Sequence, residues 1–401
     1  MPEPPLRVCL LIGKYPPLFS GQGIQIQRSL PYLRARGIEV TVLTSRLPVL
    51  FKSTPEDGPD IVDRLLARGE GHLSMPKRAY QLRRYFAPRR AWFDVVHSDL
   101  LGWEFLLNIR YLESLGLPML VEMVLLGGDD PHTISREHFG SFKISLLKRV
   151  DLWVGLSRAF LPRLPAAGIA ADRFRLAYPG VDLQAYRPLT ADERRSTRSR
   201  LGLPADARIV VSVGSVIRRK GIDRTLETWA RLPPRAGRDL LVVVGPASSD
   251  DGLERADQGF AQAVRARSDA LDLKGTVRWV GRAENVNDYL GAADLFLFLS
   301  RQEGLGIVIL EALSCGLPCV VSPLDGIAAE IILNGRSGVI VDDPDDAAAV
   351  AASVSRLLDQ PQTRTEMGAS ARRTAVERFS FEARADALAC IYRSLAAGPP
   401  R

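Results

Sequence analysis

Short apolar runs of strand length alternate with helix-length segments along most of the chain. In the first half these runs occupy residues 7–12, 38–43, 94–97, 119–124 and 151–156. In the second half they occupy residues 209–213, 240–244, 277–280, 295–299, 319–321 and 338–341. Strands that alternate with helices build parallel sheets covered by helices on both faces. The pattern therefore predicts an α/β fold with doubly wound parallel sheets.

The alternation is irregular over residues 47–92. It breaks again over residues 187–206 and then restarts. These residues are charged and bounded by prolines, and we interpret them as the crossing between two halves. The sequence therefore predicts two Rossmann-like domains that face each other across a cleft, the first over 1–186 and the second over 187–378. A final segment, 379–401, contains one more helix.

The stretch 295–322, LFLFLSRQEGLGIVILEALSCGLPCVVS, combines a strand end with features of an anion site. Its apolar strand is followed by a turn that contains Gly304 and Gly306, and the turn opens a short helix. Backbone N–H groups at the positive end of a helix bind phosphate groups. We therefore expect a phosphate or pyrophosphate to bind at this turn.

Two carboxylates flank the turn. Glu303 lies within it, and Glu311 would lie ~9 Å along the axis of a helix that begins near Leu305. This arrangement suits a ligand with a charged middle and hydroxyl-bearing ends, and a nucleotide sugar is such a ligand. An alternative assigns Glu303 to a capping box that starts at Ser300, in which the carboxylate only returns a hydrogen bond to the helix start.

Turns rich in glycine or in basic residues follow the first strand of each half. Gly21 and Gly23 lie in the loop after the run 7–12, and ligands of parallel sheets bind at the carboxyl ends of such strands. A plain loop is an equally good interpretation of this glycine pair. In the second half, the run 209–213 leads into the basic turn 214–221, GSVIRRKG.

The chain has 401 residues, a net charge of +7 and four cysteines. The excess charge points to anionic ligands, nucleic acid or an anionic membrane surface, but the basic residues are widely spread. The cysteines show neither zinc-ligand nor disulfide spacing, which is typical of a reducing cytoplasm. The sequence shows no signal-peptide profile and no apolar run of membrane length. We expect a soluble cytoplasmic protein that touches the inner face of the membrane at most.

Residues 75–93, MPKRAYQLRRYFAPRRAWF, interleave basic and aromatic side chains. This mixture is typical of a surface that lies on anionic lipid headgroups. A solvated basic helix whose aromatic side chains pack on the core is an equally good interpretation. Contact with an anionic membrane is therefore one of two hypotheses for this segment.

Candidate acceptor-side residues follow two predicted strands of the first half. Asp129 and Asp130 come just after the run 119–124, at a strand end where ligand-binding side chains collect, and simple solvation is the alternative for both. His97 ends the run 94–97, although a lone histidine at such a place is commonly a satisfied core residue. Asp129 and His97 are our candidates for acceptor-side chemistry.

Together these motifs resemble those of the family 4 glycosyltransferases, which are retaining enzymes of the GT-B architecture, over nearly the whole chain. The most specific match is Glu303 and Glu311 within S-x-x-E-G-L-G-I-V-x-L-E-A-L-S-x-G-x-P, which is similar to the family's E-x7-E signature. Supporting matches are the basic turn with Gly214 and Lys220, the linker 178–182, and Gly281. In this architecture the last helix typically packs back on the first domain.

The resemblance implies a role for each matching residue. Glu311 would bind the ribose hydroxyls of the donor, and Glu303 would bind the hydroxyls of the transferred sugar. Lys220, helped by Arg218 or Arg219, would neutralise the diphosphate leaving group. The other donor contacts that the resemblance implies come from Gly21, Gly23, Gly214, Ser215, Gly281, Arg282, Gly304, Leu305, Gly306 and Ile307.

We expect neither a cofactor nor a divalent metal. Fixed cations and helix-end dipoles can stabilise the charge that builds on a departing diphosphate, so no divalent metal is needed for this step. Two positions depart from the family pattern. Ser215 stands where an arginine is usual, and Val124 stands where many members carry a histidine.

The sequence thus predicts glycosyl transfer from a nucleotide diphosphate sugar to a hydroxyl of a glycan or lipid-linked acceptor, in bacterial envelope or exopolysaccharide synthesis. The alternative is a nucleotide-sugar epimerase or a phosphorylase with the same fold. A non-catalytic basic protein that binds nucleic acid or membranes is a third hypothesis, but it leaves the paired carboxylates without a role. We therefore expect no nucleic-acid partner.

Overall fold

The computed structural model describes residues 4–18, 20–46, 61–66, 74–233, 239–248 and 255–398. The chain forms two compact units. The first comprises Met1–Gly180 together with Phe381–Arg401, and the second comprises Val181–Ser380. The last helix therefore belongs to the first unit, although it follows the second unit in sequence.

Within the described residues, the first unit is built on a seven-stranded parallel sheet. Its strands are β1 (Leu6–Ile12), β2 (Ile38–Ser45), β3 (Ile61–Leu66), β4 (Val95–Ser98), β5 (Met119–Met123), β6 (Leu152–Gly155) and β7 (Phe174–Leu176). Its helices are α1 (Gly21–Arg34), α2 (Ser74–Phe86), α3 (Trp103–Leu106), α4 (Ile109–Ser114), α5 (Pro131–Ser135), α6 (Gly140–Leu147) and α15 (Phe381–Ala396). The spatial order β3-β2-β1-β4-β5-β6-β7 reverses direction between β1 and β4, where ligands of such sheets bind.

The second unit has a six-stranded parallel sheet in its described part. Its strands are β8 (Arg208–Val213), β9 (Asp239–Val244), β10 (Val277–Gly281), β11 (Leu295–Phe298), β12 (Cys319–Val321) and β13 (Gly338–Ile340). Its helices are α7 (Ala191–Arg200), α8 (Ile222–Ala230), α9 (Arg255–Ala270), α10 (Val286–Ala292), α11 (Ile307–Ser314), α12 (Ile327–Ile331), α13 (Ala347–Asp359) and α14 (Pro361–Arg378). The order β10-β9-β8-β11-β12-β13 reverses between β8 and β11. The two sheets confirm the predicted α/β class.

The central strands are apolar on both faces because helices cover both faces of each sheet. In β11, for example, Phe296, Leu297 and Phe298 are each at most 1% exposed. The strand therefore reads as a continuous apolar run rather than an alternating one. No helix in the described part of the chain combines the length and the apolar character that crossing a membrane requires.

Helix α1 starts earlier than the sequence predicted. Gly21 and Gly23 form its first turn instead of the preceding loop, and Ser20 caps it by accepting a hydrogen bond from the Gly23 N–H at 3.2 Å. A Cβ atom at Gly23 would lie 2.6 Å from the carbonyl oxygen of Lys14. The glycine therefore lets the start of α1 pack against the loop that follows β1.

The basic segment 75–93 divides its aromatic side chains between core and surface. Tyr85, Phe86 and Phe93 are at most 6% exposed and pack against one another, whereas Tyr80 and Trp92 are 64% and 58% exposed. Core packing is therefore the correct interpretation for three of the five rings. The prediction that residues 47–92 are irregular is wrong for the part that contains β3 and α2, while residues 47–60 and 67–73 lie outside the described residues.

Candidate functional site

The candidate donor site lies where β8 and β11 end side by side, at the switch point of the second sheet. After β8, residues Arg218–Lys220 form a 3₁₀ turn, and Gly221 (φ 66°) leads the chain into α8. A Cβ atom at Gly221 would lie 2.0 Å from the carbonyl oxygen of Leu299. Glycine is therefore required for the basic turn to approach the residues that follow β11.

Lys220 and Arg219 both contact the carboxylate of Glu303. Lys220 Nζ donates to Glu303 Oε1 at 2.6 Å, and a guanidinium nitrogen of Arg219 lies 3.2 Å from Oε2. The Ser300 hydroxyl donates to the same Oε1 at 2.9 Å. Since Glu303 is only 7% exposed, these contacts neutralise a carboxylate that burial would otherwise penalise. The fold thus joins two predicted catalytic residues that lie 83 positions apart in the chain.

A second ion pair fixes the same two loops to each other. Arg301 donates to both carboxylate oxygens of Asp223 at 2.8 and 2.7 Å, and its backbone N–H donates to the carbonyl oxygen of Arg219 at 2.7 Å. Bidentate arginine–carboxylate pairs of this kind fix geometry as well as charge. The basic turn and the turn around Glu303 therefore form one connected unit.

Helix α11 begins at Ile307, with Gly306 (φ 87°) as its N-cap. The helix starts two residues later than predicted, so Glu303 takes no part in a capping box and that alternative is wrong. Among the described residues, the backbone N–H groups of Gly304, Leu305 and Gly306 have no backbone acceptor. Together with the positive end of α11, they provide donors for an anion.

The remaining donor-side candidates lie along the carboxyl edge of the same sheet. Gly214 follows β8, and Gly281 ends β10. Glu311 is half-exposed and lies about 6 Å along α11 from its first residue. Ser215, Arg218, Arg282, Leu305 and Ile307 occupy the turns and the helix start at this edge, whereas Gly21 and Gly23 belong to the first unit.

In the first unit, the ends of β4 and β5 bring together side chains from distant parts of the sequence. His97 Nε2 lies 3.3 Å from Glu122 Oε2, and His97 Nδ1 lies 2.7 Å from the hydroxyl of Tyr392 on α15. Arg384, also on α15, donates to Glu122 Oε1 at 2.8 Å. His97, Glu122 and Tyr392 are fully buried, so His97 belongs to an internal network that includes the last helix.

Two acids lie in this network, Glu122 and Asp99, and their pKa values are shifted in opposite directions. Burial raises the pKa of Glu122, but the positive charge of Arg384 and the neighbouring His97 outweigh it and hold that pKa below the usual range. Burial and the negative charge of Glu122 raise the pKa of Asp99 well above the usual range. Gln22, in the first turn of α1, donates to Glu122 Oε2 at 3.1 Å. Glu122 therefore connects α1, β4 and α15 through charged and polar contacts.

Asp129 and Asp130 bind backbone N–H groups of their own loop and are not simply solvated. Asp129 accepts hydrogen bonds from the N–H groups of Leu125 at 2.6 Å and Val124 at 3.3 Å. Asp130 is fully buried and caps α5 by accepting from the Thr133 N–H at 3.0 Å. Asp130 therefore has a local structural role, while burial raises the pKa of Asp129 to about 6 despite its hydrogen bonds.

The variant Asp129→Asn is expected to change how stability depends on pH. With its pKa raised from 3.8 to about 6, this carboxyl stabilises the fold at low pH, and the contribution is lost as pH rises through about 6. As the pH rises from about 4 to about 7.5, the free energy of unfolding of the variant should increase relative to that of the wild type by up to roughly 3 kcal/mol. Denaturant unfolding at both pH values measures this difference, and parallel pH profiles of the two proteins would contradict the assignment.

Two family models match consecutive parts of the chain. The "Glycosyl transferase 4-like domain" matches residues 20–180, and "Glycosyl transferases group 1" matches residues 193–374. Together they span most of the chain and reach into both units. The chain belongs to the family 4 glycosyltransferases. It is therefore a GT-B enzyme of the transferase class, and enzymes of this kind use nucleotide-sugar donors.

One of the following two relatives and both of the following solved structures match nearly the full chain. D-inositol 3-phosphate glycosyltransferase 2 of Catenulispora acidiphila is 29% identical over 427 residues, covering 97% of this chain and 95% of that protein. The D-inositol 3-phosphate glycosyltransferase of Kineococcus radiotolerans is 36% identical over 229 residues, covering 54% and 50%. HepE of Anabaena, solved with UDP and glucose, has a TM-score of 0.78 at 19% identity, covering 97% of this chain and 100% of that one. Sucrose-phosphate synthase of Thermosynechococcus elongatus has a TM-score of 0.79 at 22% identity, covering 98% and 100%.

Several residues of the two sites were not predicted from the sequence. The donor side adds Ser300 as a partner of Glu303, and the first unit adds Gln22, Asp99, Arg384 and Tyr392. One signal was present: Arg384 falls on the same helical stripe as the buried Phe381, Ala385 and Leu388. An arginine on an apolar stripe indicates a buried acidic partner, because arginine is rarely buried unless it is paired.

Proposed function

We propose that this glycosyltransferase transfers a sugar from a UDP-sugar to a hydroxyl of a glycan or lipid-linked acceptor, with retention of the anomeric configuration. The observation that carries the proposal is the joint contact of Lys220 and Arg219 with Glu303, beside the start of α11. These residues supply two cations, a carboxylate and a helix-end anion site within one small region.

The proposed chemistry follows from where charge develops. Breaking the bond between sugar and phosphate places negative charge on the diphosphate, and preorganised cations and N–H donors stabilise such charge. In the structure Glu303 is the anion that Lys220 and Arg219 hold. We propose that the diphosphate takes over these two cations and that Glu303 then binds hydroxyls of the transferred sugar.

Retention does not require a carboxylate nucleophile in this proposal. The acceptor hydroxyl attacks the anomeric carbon from the face that the diphosphate leaves. A phosphate oxygen of the departing diphosphate takes the proton of that hydroxyl, so the new glycosidic bond forms as the sugar–phosphate bond breaks. Lys220 and Arg219 neutralise the leaving group throughout.

The comparisons support the choice of UDP, but they do not decide between the acceptor classes. HepE was solved with UDP and glucose, and the curated relatives are named for inositol 3-phosphate. The predicted role in bacterial envelope or exopolysaccharide synthesis requires a larger glycan or lipid-linked acceptor. A phosphorylated inositol is therefore the second acceptor class to be tested.

A panel of nucleotide diphosphate sugars, read first by thermal shift and then by mass spectrometry of products, tests the proposal. A ligand that binds the folded state raises its apparent stability, and we expect UDP-sugars to do so. Release of UDP should then depend on an added acceptor. Free altered sugar without an acceptor would identify an epimerase, and a requirement for phosphate would identify a phosphorylase. Salt-sensitive binding to RNA or vesicles with no effect of any nucleotide would identify a non-catalytic protein.

We also propose peripheral contact with an anionic membrane. Lys77, Tyr80 and Arg84 are exposed at positions i, i+3 and i+7 of α2, which place them on one face of the helix. Trp92 adds a second exposed ring shortly after α2. Aromatic and basic side chains on one exposed face suit the headgroup region of an anionic bilayer.

A combined variant, Lys77→Glu, Tyr80→Ser and Arg84→Glu, should bind anionic vesicles at least about tenfold more weakly, because each basic residue near such a surface is worth about 1 kcal/mol. Vesicle flotation measures the binding, and hydrolysis of the donor sugar should stay unchanged. Val376→Ser removes an exposed apolar side chain of the second unit and is the matched control. Equal flotation of the combined variant and the wild type would exclude this face.

A further inference from the structure

Three side chains of metal-ligating type converge at the carboxyl edge of the first sheet: His97, Asp99 and Glu122. His97 Nε2 lies 3.3 Å from Glu122 Oε2 and 3.6 Å from Asp99 Oδ1, and one ligand atom of each residue lies within 4.8 Å of the other two. Ligands that sit at zinc-bond length around a tetrahedral ion are about 3.3 Å apart. The two distances from His97 are therefore close to the separations that one small divalent cation imposes.

The imidazole of His97 is oriented as a metal ligand would be. Its Nδ1 lies 2.7 Å from the Tyr392 hydroxyl, and when Nδ1–H donates to that hydroxyl the lone pair of Nε2 is directed at the two carboxylates. Metal-binding histidines are commonly fixed in this way by a hydrogen bond at the other ring nitrogen. The contact with Tyr392 is therefore compatible with the tautomer that binds a cation through Nε2.

The polar atoms that face one another in this cluster lack hydrogen-bond partners among the described residues. This holds for His97 Nε2 and for both carboxylate oxygens of Asp99. The side chain of His97 is 0% exposed and that of Asp99 is 5% exposed, so water does not reach them freely. Buried polar atoms of native proteins are nearly always satisfied, and one cation would satisfy the histidine and both acids together.

Arg384 and Gln22 hold the carboxylate of Glu122 in place beside the cluster. Arg384 holds Glu122 Oε1 at 2.8 Å, which leaves Oε2 directed at the cluster. Gln22 is partly exposed and donates to that Oε2 at 3.1 Å, so it stands between the cluster and solvent. A half-turn of its amide would present an oxygen as a fourth ligand. Binding a cation would also remove the repulsion between Asp99 and Glu122, two buried acids that face the same space.

We propose that His97, Asp99 and Glu122 bind a divalent transition-metal ion of the Zn²⁺ class. The ion joins the ends of β4 and β5, and through Arg384 and Tyr392 it stabilises the attachment of α15 to the first sheet. The proposal goes beyond the expectation that the transfer reaction needs no metal. It assigns the ion to the first unit, whereas the cations that meet the diphosphate belong to the second.

Zinc binding to the full chain tests this directly. Protein dialysed against a chelator and then against metal-free buffer is titrated with ZnCl₂ by calorimetry, and the bound metal is counted by mass spectrometry. We expect about one ion per chain and a higher midpoint of thermal unfolding with zinc than without it. Asp99→Asn and His97→Gln should each weaken binding by at least about tenfold. Asp99→Asn preserves shape and removes one carboxyl ligand, so it keeps the test valid even if His97→Gln folds poorly.

His138→Gln is the matched control, because it removes an exposed imidazole of the same unit. It should bind zinc as the wild type does, and Co²⁺ bound in place of zinc should give the absorption of a tetrahedral site. Failure to retain zinc, or loss of binding in His138→Gln but not in Asp99→Asn, would overturn the proposal. The measurement needs no sugar transfer, so a negative result leaves the proposed function untouched.

Discussion

Replacing Lys220 by alanine is expected to lower the rate of sugar transfer by about 10²- to 10³-fold, the usual effect of removing one group that stabilises a developing anion. The ammonium group of Lys220 lies in the donor site, 2.6 Å from Glu303. Its loss removes a positive charge from the leaving diphosphate and leaves Glu303 with only Arg219 and Ser300. Initial rates of acceptor-dependent nucleotide release measure the effect.

Lys274→Ala is the matched control for this variant, because Lys274 is an exposed lysine of the same unit and precedes β10. Its transfer rate should stay close to that of the wild type. Circular dichroism and the thermal midpoint show whether either variant has lost its fold. Transfer by a folded Lys220→Ala protein within about threefold of the wild type would contradict the role of this residue in neutralising charge.

Glu303→Gln is expected to separate binding from turnover. Removing the carboxylate charge frees Lys220 and Arg219 for the diphosphate, so UDP should bind as tightly as to the wild type or several-fold more tightly. Transfer should fall by about 10²-fold, because the hydroxyls of the sugar lose their charged partner at the reacting centre. Calorimetry with UDP and initial rates of transfer give the two quantities.

Glu311→Gln provides the contrasting variant. If Glu311 binds the ribose, its replacement removes charge-assisted hydrogen bonds to the nucleotide, and UDP binding should weaken by about tenfold or more. The two glutamates of the signature would then change UDP affinity in opposite directions. A loss of UDP affinity in Glu303→Gln as large as that in Glu311→Gln would refute the exchange of partners proposed for Lys220.

Most strands were predictable because they depend on local sequence, but β3 and β7 of the first sheet were not predicted. Continuous apolar runs such as that of β11 can only be buried in a sheet covered on both faces. The start of α11 was harder to predict. The sequence allows a helix from Ser300 or from Leu305, and the positive φ of Gly306 places its first residue at Ile307.

Contacts between distant residues were beyond the reach of sequence patterns. The motifs predicted that Glu303 and Lys220 serve the same ligand, but not that the two side chains pair with each other across 83 positions. Likewise, Glu122 and Arg384 are 262 positions apart, and only the return of α15 to the first sheet brings them together. Which distant residues form such pairs depends on the strand register and on the topology of the fold, rather than on residue type.

The aromatic segment illustrates a different limit. Tyr85, Phe86 and Phe93 alternate with basic residues in the sequence as a membrane-facing surface would. In the fold they form a buried cluster, whereas Lys77, Arg83, Arg84 and Arg90 are exposed. Composition alone does not distinguish these outcomes, because both place apolar rings and charges on opposite faces of a helix.

A crystal structure of the protein with UDP tests the central claim most directly. We expect the diphosphate to lie within hydrogen-bonding distance of Lys220 Nζ and of the backbone N–H groups of Gly304, Leu305 or Gly306. The contact between Lys220 and Glu303 should then be broken or lengthened. Diphosphate bound elsewhere, with Lys220 still paired to Glu303 at 2.6 Å, would contradict the account.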